Sequence, residues 1–195
     1  MKILITAFEP FGGSLRNSSL ETLHSLPDSY MNCEIVRLEL PVVFDRCGEV
    51  LRKTAETVKP DAVICLGQAE GRNAVTPEYA ALNVNYTTSS DNAGNAPALN
   101  PVVKDGPAAY LATLPVRELV DAMTEKGIPA RISFSAGTYV CNNLMYHALH
   151  DTVGTGVKAG FIHLPLSFDN GKGTPYLPPE TLRESILTAV EVLGK

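Results

Sequence analysis

Cys141 opens the chemistry of this chain. It lies in SAGTYVCNNLMYHALHDTVG (135–154), a stretch that reads as a turn feeding a helix. Val140, Leu144, Met145, Ala148, Asp151 and Thr152 recur at helical spacing, which predicts one buried stripe and one wet face. Gly137 and Thr138 punctuate the start, with Thr138 the expected N-cap. A thiol in the first turn of a helix sits at the positive end of the dipole, which favours thiolate over thiol. That is the setting of a nucleophile. The competing reading is a small core residue.

A cysteine nucleophile needs a base, and the chain has four histidines. His147 and His150 follow Cys141 by six and nine residues, and at about 100° per residue they lie round the helix from the thiol. They read as surface or half-buried residues, as does His24 in an amphipathic helix. His163 remains, near the end of the apolar run VKAGFIHLPLS (157–167), where a core imidazole is the alternative. A third polar group usually fixes the imidazole's tautomer. Glu78, in the T-P-E turn, is the best placed carboxylate, with Glu70 and Asp91 as competitors. Phe8 and Phe11, in FEPFGG (8–13), are either core rings or two apolar plates for a small flat ligand. In the second case Gln68 or backbone groups supply polar contacts.

The elements that must bring these residues together alternate along the chain. Apolar runs at 2–7, 61–67 and 157–167, the alternating segment 33–41 and the segment 129–135 read as strands, with a further one possible at 79–85. Helices are predicted after a cap at Asn17, Ser18 or Ser19, over 43–58, from Leu114-Pro115 to Gly127, over the cysteine stretch, and from about Pro179. Residues 86–109 lack periodicity and read as a long loop or a hairpin arm, functional or an assembly surface. The order predicts one α/β domain over 1–195 with a largely parallel sheet. Ligands of such sheets bind at the carboxyl edge of the strands. FEPFGG, GQAEGR (67–72), Cys141 and His163 all fall at that edge if a crossover through the cysteine helix sets 129–135 and 157–167 side by side or nearly so.

Composition narrows the partners. The chain has 195 residues, 45% hydrophobic and 19% charged, with a net charge of −5. Without a basic cluster, nucleic acid and anionic membrane are poor partners. The first apolar run is too short for a signal peptide, and none is long enough to span a membrane. Four cysteines (33, 47, 65, 141) form no C-x-x-C pair and no metal-like group with histidine, so a reducing cytoplasm is expected.

Taken together, FEPFGG, GQAEGR, TPE (76–78), GTYVCN (137–142) and FIHLP (161–165) resemble pyroglutamyl peptidase I, also called pyrrolidone-carboxylate peptidase. DNAGN (91–95) and DGPAAYLATLP (105–115) extend the resemblance over nearly the whole chain. It implies a three-layer α/β/α sandwich, commonly a homotetramer, acting in the cytoplasm without metal or cofactor. The activity implied is a cysteine exopeptidase that removes pyroglutamate from the N-terminus of peptides. By position, Cys141 becomes the nucleophile, His163 the general base and Glu78 the third member. Phe8 and Phe11 enclose the pyrrolidone ring and Gln68 lines its pocket. Tyr79 departs from the family pattern where a basic residue normally follows the glutamate, and so do Glu70, Thr88 and Ala7. Glu70 would raise the thiol's pKa or discourage acidic residues after the pyroglutamate. These departures motivate one rival, a non-catalytic relative that binds pyroglutamate. A second rival, from fold analogy alone, is a nucleoside-phosphorylase-like transferase.

Overall fold

The computed structural model describes residues 1–195. Its elements are β1 (Lys2–Phe8), α1 (Ser18–Ser25), β2 (Ser29–Tyr30), β3 (Cys33–Leu40), α2 (Arg46–Val58), β4 (Ala62–Gln68), β5 (Thr76–Pro77), β6 (Ala80–Leu82) and β7 (Asn85–Tyr86). There follow β8 (Ala98–Asn100), β9 (Ala109–Leu111), α3 (Val116–Glu125), α4 (Val140–Thr152), β10 (Lys158–Leu164) and α5 (Pro179–Leu193).

Six strands form the central sheet in the order β2-β3-β1-β4-β10-β5. β3, β1, β4 and β10 run parallel, while β2 and β5 pair antiparallel at the two edges. The central strands are apolar runs because both faces are covered. Side chains alternate between two cores. Ile3, Ile5, Ile64 and Ile162 face α1, α3 and α5, where Leu23, Leu119, Met123, Ile186 and Val190 meet them. Leu4, Val63, Cys65 and Phe161 face α2 and α4, where Cys47, Leu51, Leu144 and Met145 meet them. The result is an α/β/α layering. No helix is long and apolar enough to cross a membrane.

Asn17 is the cap of α1: its side chain accepts from Ser19 N at 2.9 Å. Its amide also donates to Glu9 O at 3.1 Å, tying the FEPFGG turn to the helix.

Three expectations need correction. Thr138 does not cap α4; that position is Tyr139, with no side-chain bond, and the Thr138 hydroxyl donates to Tyr86 O at 2.8 Å instead. Nor has α4 a wet face. Asn142 and Asn143 are as buried as Leu144 and Met145, because the paired segments β6–β9 and β7–β8 cover the outer side, and His147 is buried against α2 at Gly48 and Asp45. Asn142 is the pin: it accepts from Leu82 N at 2.8 Å and donates to Leu82 O and Val84 O at 2.8 and 3.0 Å. These short pairs are what 79–111 becomes, a hairpin arm folded over the cysteine helix.

The third correction concerns 129–135, which is not a sheet strand. It runs along the edge with single bridges from Ala130 to Val75 and from Ser133 to Glu78. The neighbour of β10 on that side is the two-residue β5, so 129–135 and β10 are not adjacent strands and β5 lies between them.

Candidate active site

Glu78, directly after β5, is fully buried and anchored by its own N–H to Phe161 O at 2.8 Å. His163 reaches it from β10, with Nδ1 2.7 Å from Glu78 Oε1. An ionised carboxylate can only accept, so Nδ1 carries the proton and Nε2 presents its lone pair. The same oxygen accepts from Arg72 Nη1 at 2.7 Å, and Arg72 also donates to the Thr76 hydroxyl. Glu78 Oε2 is buried without a hydrogen-bond partner. Burial works to raise the Glu78 carboxyl, yet the bond and charge of His163, with Ser133 and Arg72 behind them, hold it below the ordinary carboxylate value.

The cysteine arrives from the adjacent layer. His163 pairs across the β4–β10 ladder with Gly67. A Cβ on Gly67 would lie 3.2 Å from Cys141 Sγ and 2.6 Å from the Phe161 ring. Glycine at 67 is therefore the notch that admits the sulphur to the sheet face at the rung shared with His163. Phe161 also sets the His163 ring, its centroid 4.7 Å away.

Cys141 is the one cysteine of four that is not fully buried. Burial of its sulphur, and then the Glu78 charge, push the thiol up to about 12, with Arg72 opposing. Desolvation is the largest influence on the thiol and acts upward, contrary to the expectation of a depressed thiol. Burial also lowers the His163 pKa, Glu78 opposing and Arg72 assisting. Both shifts favour a neutral thiol beside a neutral imidazole.

A cavity of about 540 Å³ lies at the same carboxyl edge, lined by Phe11, Gln68, Glu70, Leu166, Phe168 and Lys172 among others. Gln68 Oε1 accepts from Ser18 N and its hydroxyl at 2.8 and 3.1 Å, which leaves the NH₂ group as the donor for a ligand. Phe8 is not a wall of this cavity. It is 2% exposed, tilted against Phe161 at 6.5 Å between centroids, and belongs to the core. The competitors for the third position are elsewhere. Asp91 caps the N–H groups of Phe44, Ala93 and Asn95. Glu70 is exposed and accepts from Asn170.

Of the remaining histidines, His24 is exposed and His150 accepts or donates at 2.9 Å with the Tyr110 hydroxyl. His147 is buried rather than at the surface, 3.3 Å from Asp45 Oδ1 across the α2–α4 contact. Two residues escaped the sequence reading. Arg72 carried a signal, as the cation closing GQAEGR six positions before Glu78. Phe168, in a loop with no periodicity, carried none.

The family model for pyroglutamyl peptidase matches residues 1–195. A pyrrolidone-carboxylate peptidase of Streptococcus pyogenes is 46% identical over 171 residues, covering 87% of this chain and 80% of the relative. The crystal structure of pyroglutamyl peptidase I from Bacillus amyloliquefaciens superimposes with a TM-score of 0.93 at 36% identity, covering 96% of this chain and 94% of that one. Pyrrolidone carboxyl peptidase from Thermococcus litoralis gives 0.92 at 38% identity, with 98% and 92% covered. The chain belongs to the pyroglutamyl peptidase family.

Proposed function

We propose that Cys141, His163 and Glu78 perform the hydrolysis by which this cysteine exopeptidase removes pyroglutamate from the N-terminus of peptides. The observation that carries the assignment is the buried chain Arg72–Glu78–His163, whose imidazole pairs across the sheet with the glycine that accommodates Cys141 Sγ. The sulphur attacks the carbonyl between pyroglutamate and the next residue while His163 Nε2 takes its proton. Proton transfer accompanies attack, because the resting pair is neutral. N–H groups at the start of α4, which no side chain caps, take up the oxyanion charge. His163 then returns the proton to the leaving amine as the C–N bond breaks. Water, deprotonated by the same imidazole, cleaves the thioester and frees the thiol. Phe11 and Gln68 receive the uncharged lactam ring: an apolar surface and one NH₂ donor suit it. Phe8 acts behind them, through Phe161.

The departures at Glu70 and Tyr79 leave this machinery intact. Glu70 is engaged with Asn170, and Tyr79 packs edge-on to Phe134 at 5.8 Å while Arg72 supplies the cation on Glu78. In the FEPFGG turn the Glu9 carboxylate accepts from Val42 N and Asn92 Nδ2, which places an acid where a transferase would need a phosphate. The test is release of the fluorophore from pyroglutamyl-coumarylamide but not from prolyl-coumarylamide. Iodoacetamide should alkylate Cys141 ahead of the buried Cys33, Cys47 and Cys65, at a rate that climbs with pH. Binding of pyroglutamate without turnover would replace this reading with that of a binding protein.

The protein acts as a homo-oligomer, the tetramer of the resemblance, in a reducing compartment such as the cytoplasm that keeps its four thiols free. The β6–β9 pair supports assembly. Its outward face alternates as Ala80, Leu82, Ala109 and Leu111, continuous in sequence with Tyr79, whose ring meets the exposed Phe134. Such a contiguous apolar face is unusual on a monomer. Leu111→Lys should lower the mass measured by light scattering; a monomeric parent protein would refute the assembly.

A further inference from the structure

We propose that Glu70 is a positioning residue for substrate binding that acts by bracing the outer wall of the cavity, a reading that rests on that cavity being the pyroglutamyl site. The wall is the segment 166–177. Its ends are clipped together where Leu177 N donates to Leu166 O at 2.9 Å and Tyr176 bridges Leu166. Near its base, Phe168 lies under the Arg16 guanidinium at 4.0 Å. Arg16 is held by both oxygens of Glu21 at 2.6 and 2.9 Å, and Glu21 also accepts from the Ser167 hydroxyl at 2.6 Å. The base is therefore braced from α1.

The tip is held differently. Asn170 Nδ2 donates to Thr174 Oγ1, Gly171 N to Asp169 Oδ1 and Lys172 N to Asn170 Oδ1, all within the loop. Gly171 and Gly173 have φ of +72° and +69°, where glycine bends the chain without strain. One hydrogen bond ties this tip to the rest of the protein, from Asn170 Nδ2 to Glu70 Oε1 at 3.0 Å. It joins two segments that both line the cavity, the loop after β4 beside Gln68 and the wall that carries Phe168. Releasing it lets the wall swing away from the ring without touching the Glu78–His163 pair. The loss falls on binding rather than on chemistry.

The test is steady-state kinetics on pyroglutamyl-coumarylamide. Glu70→Ala is expected to raise KM by roughly three- to tenfold, the net worth of one ordinary hydrogen bond, with kcat changed less than twofold. Glu70→Gln keeps an acceptor for Asn170 and should restore KM to within about twofold of the parent. Asn170→Ala, which also removes the bonds to Thr174 and from Lys172 N, should raise KM at least as much as Glu70→Ala, and the double variant should be no worse than Asn170→Ala. An unchanged KM in Glu70→Ala, failure of Gln to restore it, or additive losses in the double variant would each overturn the proposal, the second pointing to the charge itself. Absence of turnover in the parent protein would instead refute the pyroglutamyl site, and the brace with it.

Discussion

Cys141→Ala is expected to lower kcat for pyroglutamyl-coumarylamide by roughly 10⁴-fold or more, the scale on which a covalent nucleophile's loss is felt. Folding should be almost untouched. The thiol is held neutral by burial, so its removal strands no charge, and a single sulphur beside Gly67 and Phe161 leaves only a small void. A cost of about 1 kcal/mol or less follows for so small a truncation. Pyroglutamate binding, measured by calorimetry, should persist because Phe11 and Gln68 do not lean on the sulphur. Turnover within tenfold of the parent would remove Cys141 from the mechanism. Loss of both turnover and the thermal transition would reassign it to the core.

How far the residues alone could lead is seen best around α4. β3 was legible from its alternation, and the apolar runs that became β1, β4 and β10 because burial on both faces leaves no room for polar residues. His163 stood out for that same reason, a polar ring in an apolar strand. What patterning could not convey was depth. Asn142, Asn143 and His147 look like a solvated helix face until the arm over 79–111 covers the first two and α2 the third, and the two amides are satisfied by partners some 60 to 100 positions away. The thiol's acidity failed for a related reason: a dipole argument is local, whereas desolvation depends on the whole shell around the sulphur. The segment 129–135 has strand-like composition but lies at the rim, largely exposed, where it meets 75–79 through isolated bridges instead of a ladder. Gly67 is the subtlest case. Its role depends on a sulphur and a phenyl ring brought in from residues 141 and 161.

Glu78→Gln tests the remaining member of the chain, and two separate readouts should respond. The plateau of kcat/KM is expected to fall by roughly 10²- to 10⁴-fold, because a neutral amide supports the imidazolium poorly and can turn its NH₂ toward Nδ1, forcing the wrong tautomer. The pH profile should move as well. In the parent, burial lowers His163 below the usual 6.5, so activity survives acidification past that value and is lost only at lower pH, where Nε2 is protonated. Glu78 is the group that opposes this lowering, while Arg72 reinforces it. Without the carboxylate both remaining influences act downward, and the acid limb must shift further toward low pH even as the plateau drops. A purely structural defect would lower the plateau and leave the limb in place. A limb that moved upward would mean that the imbalance at His163 is not set by Glu78, and the third member would have to be sought elsewhere.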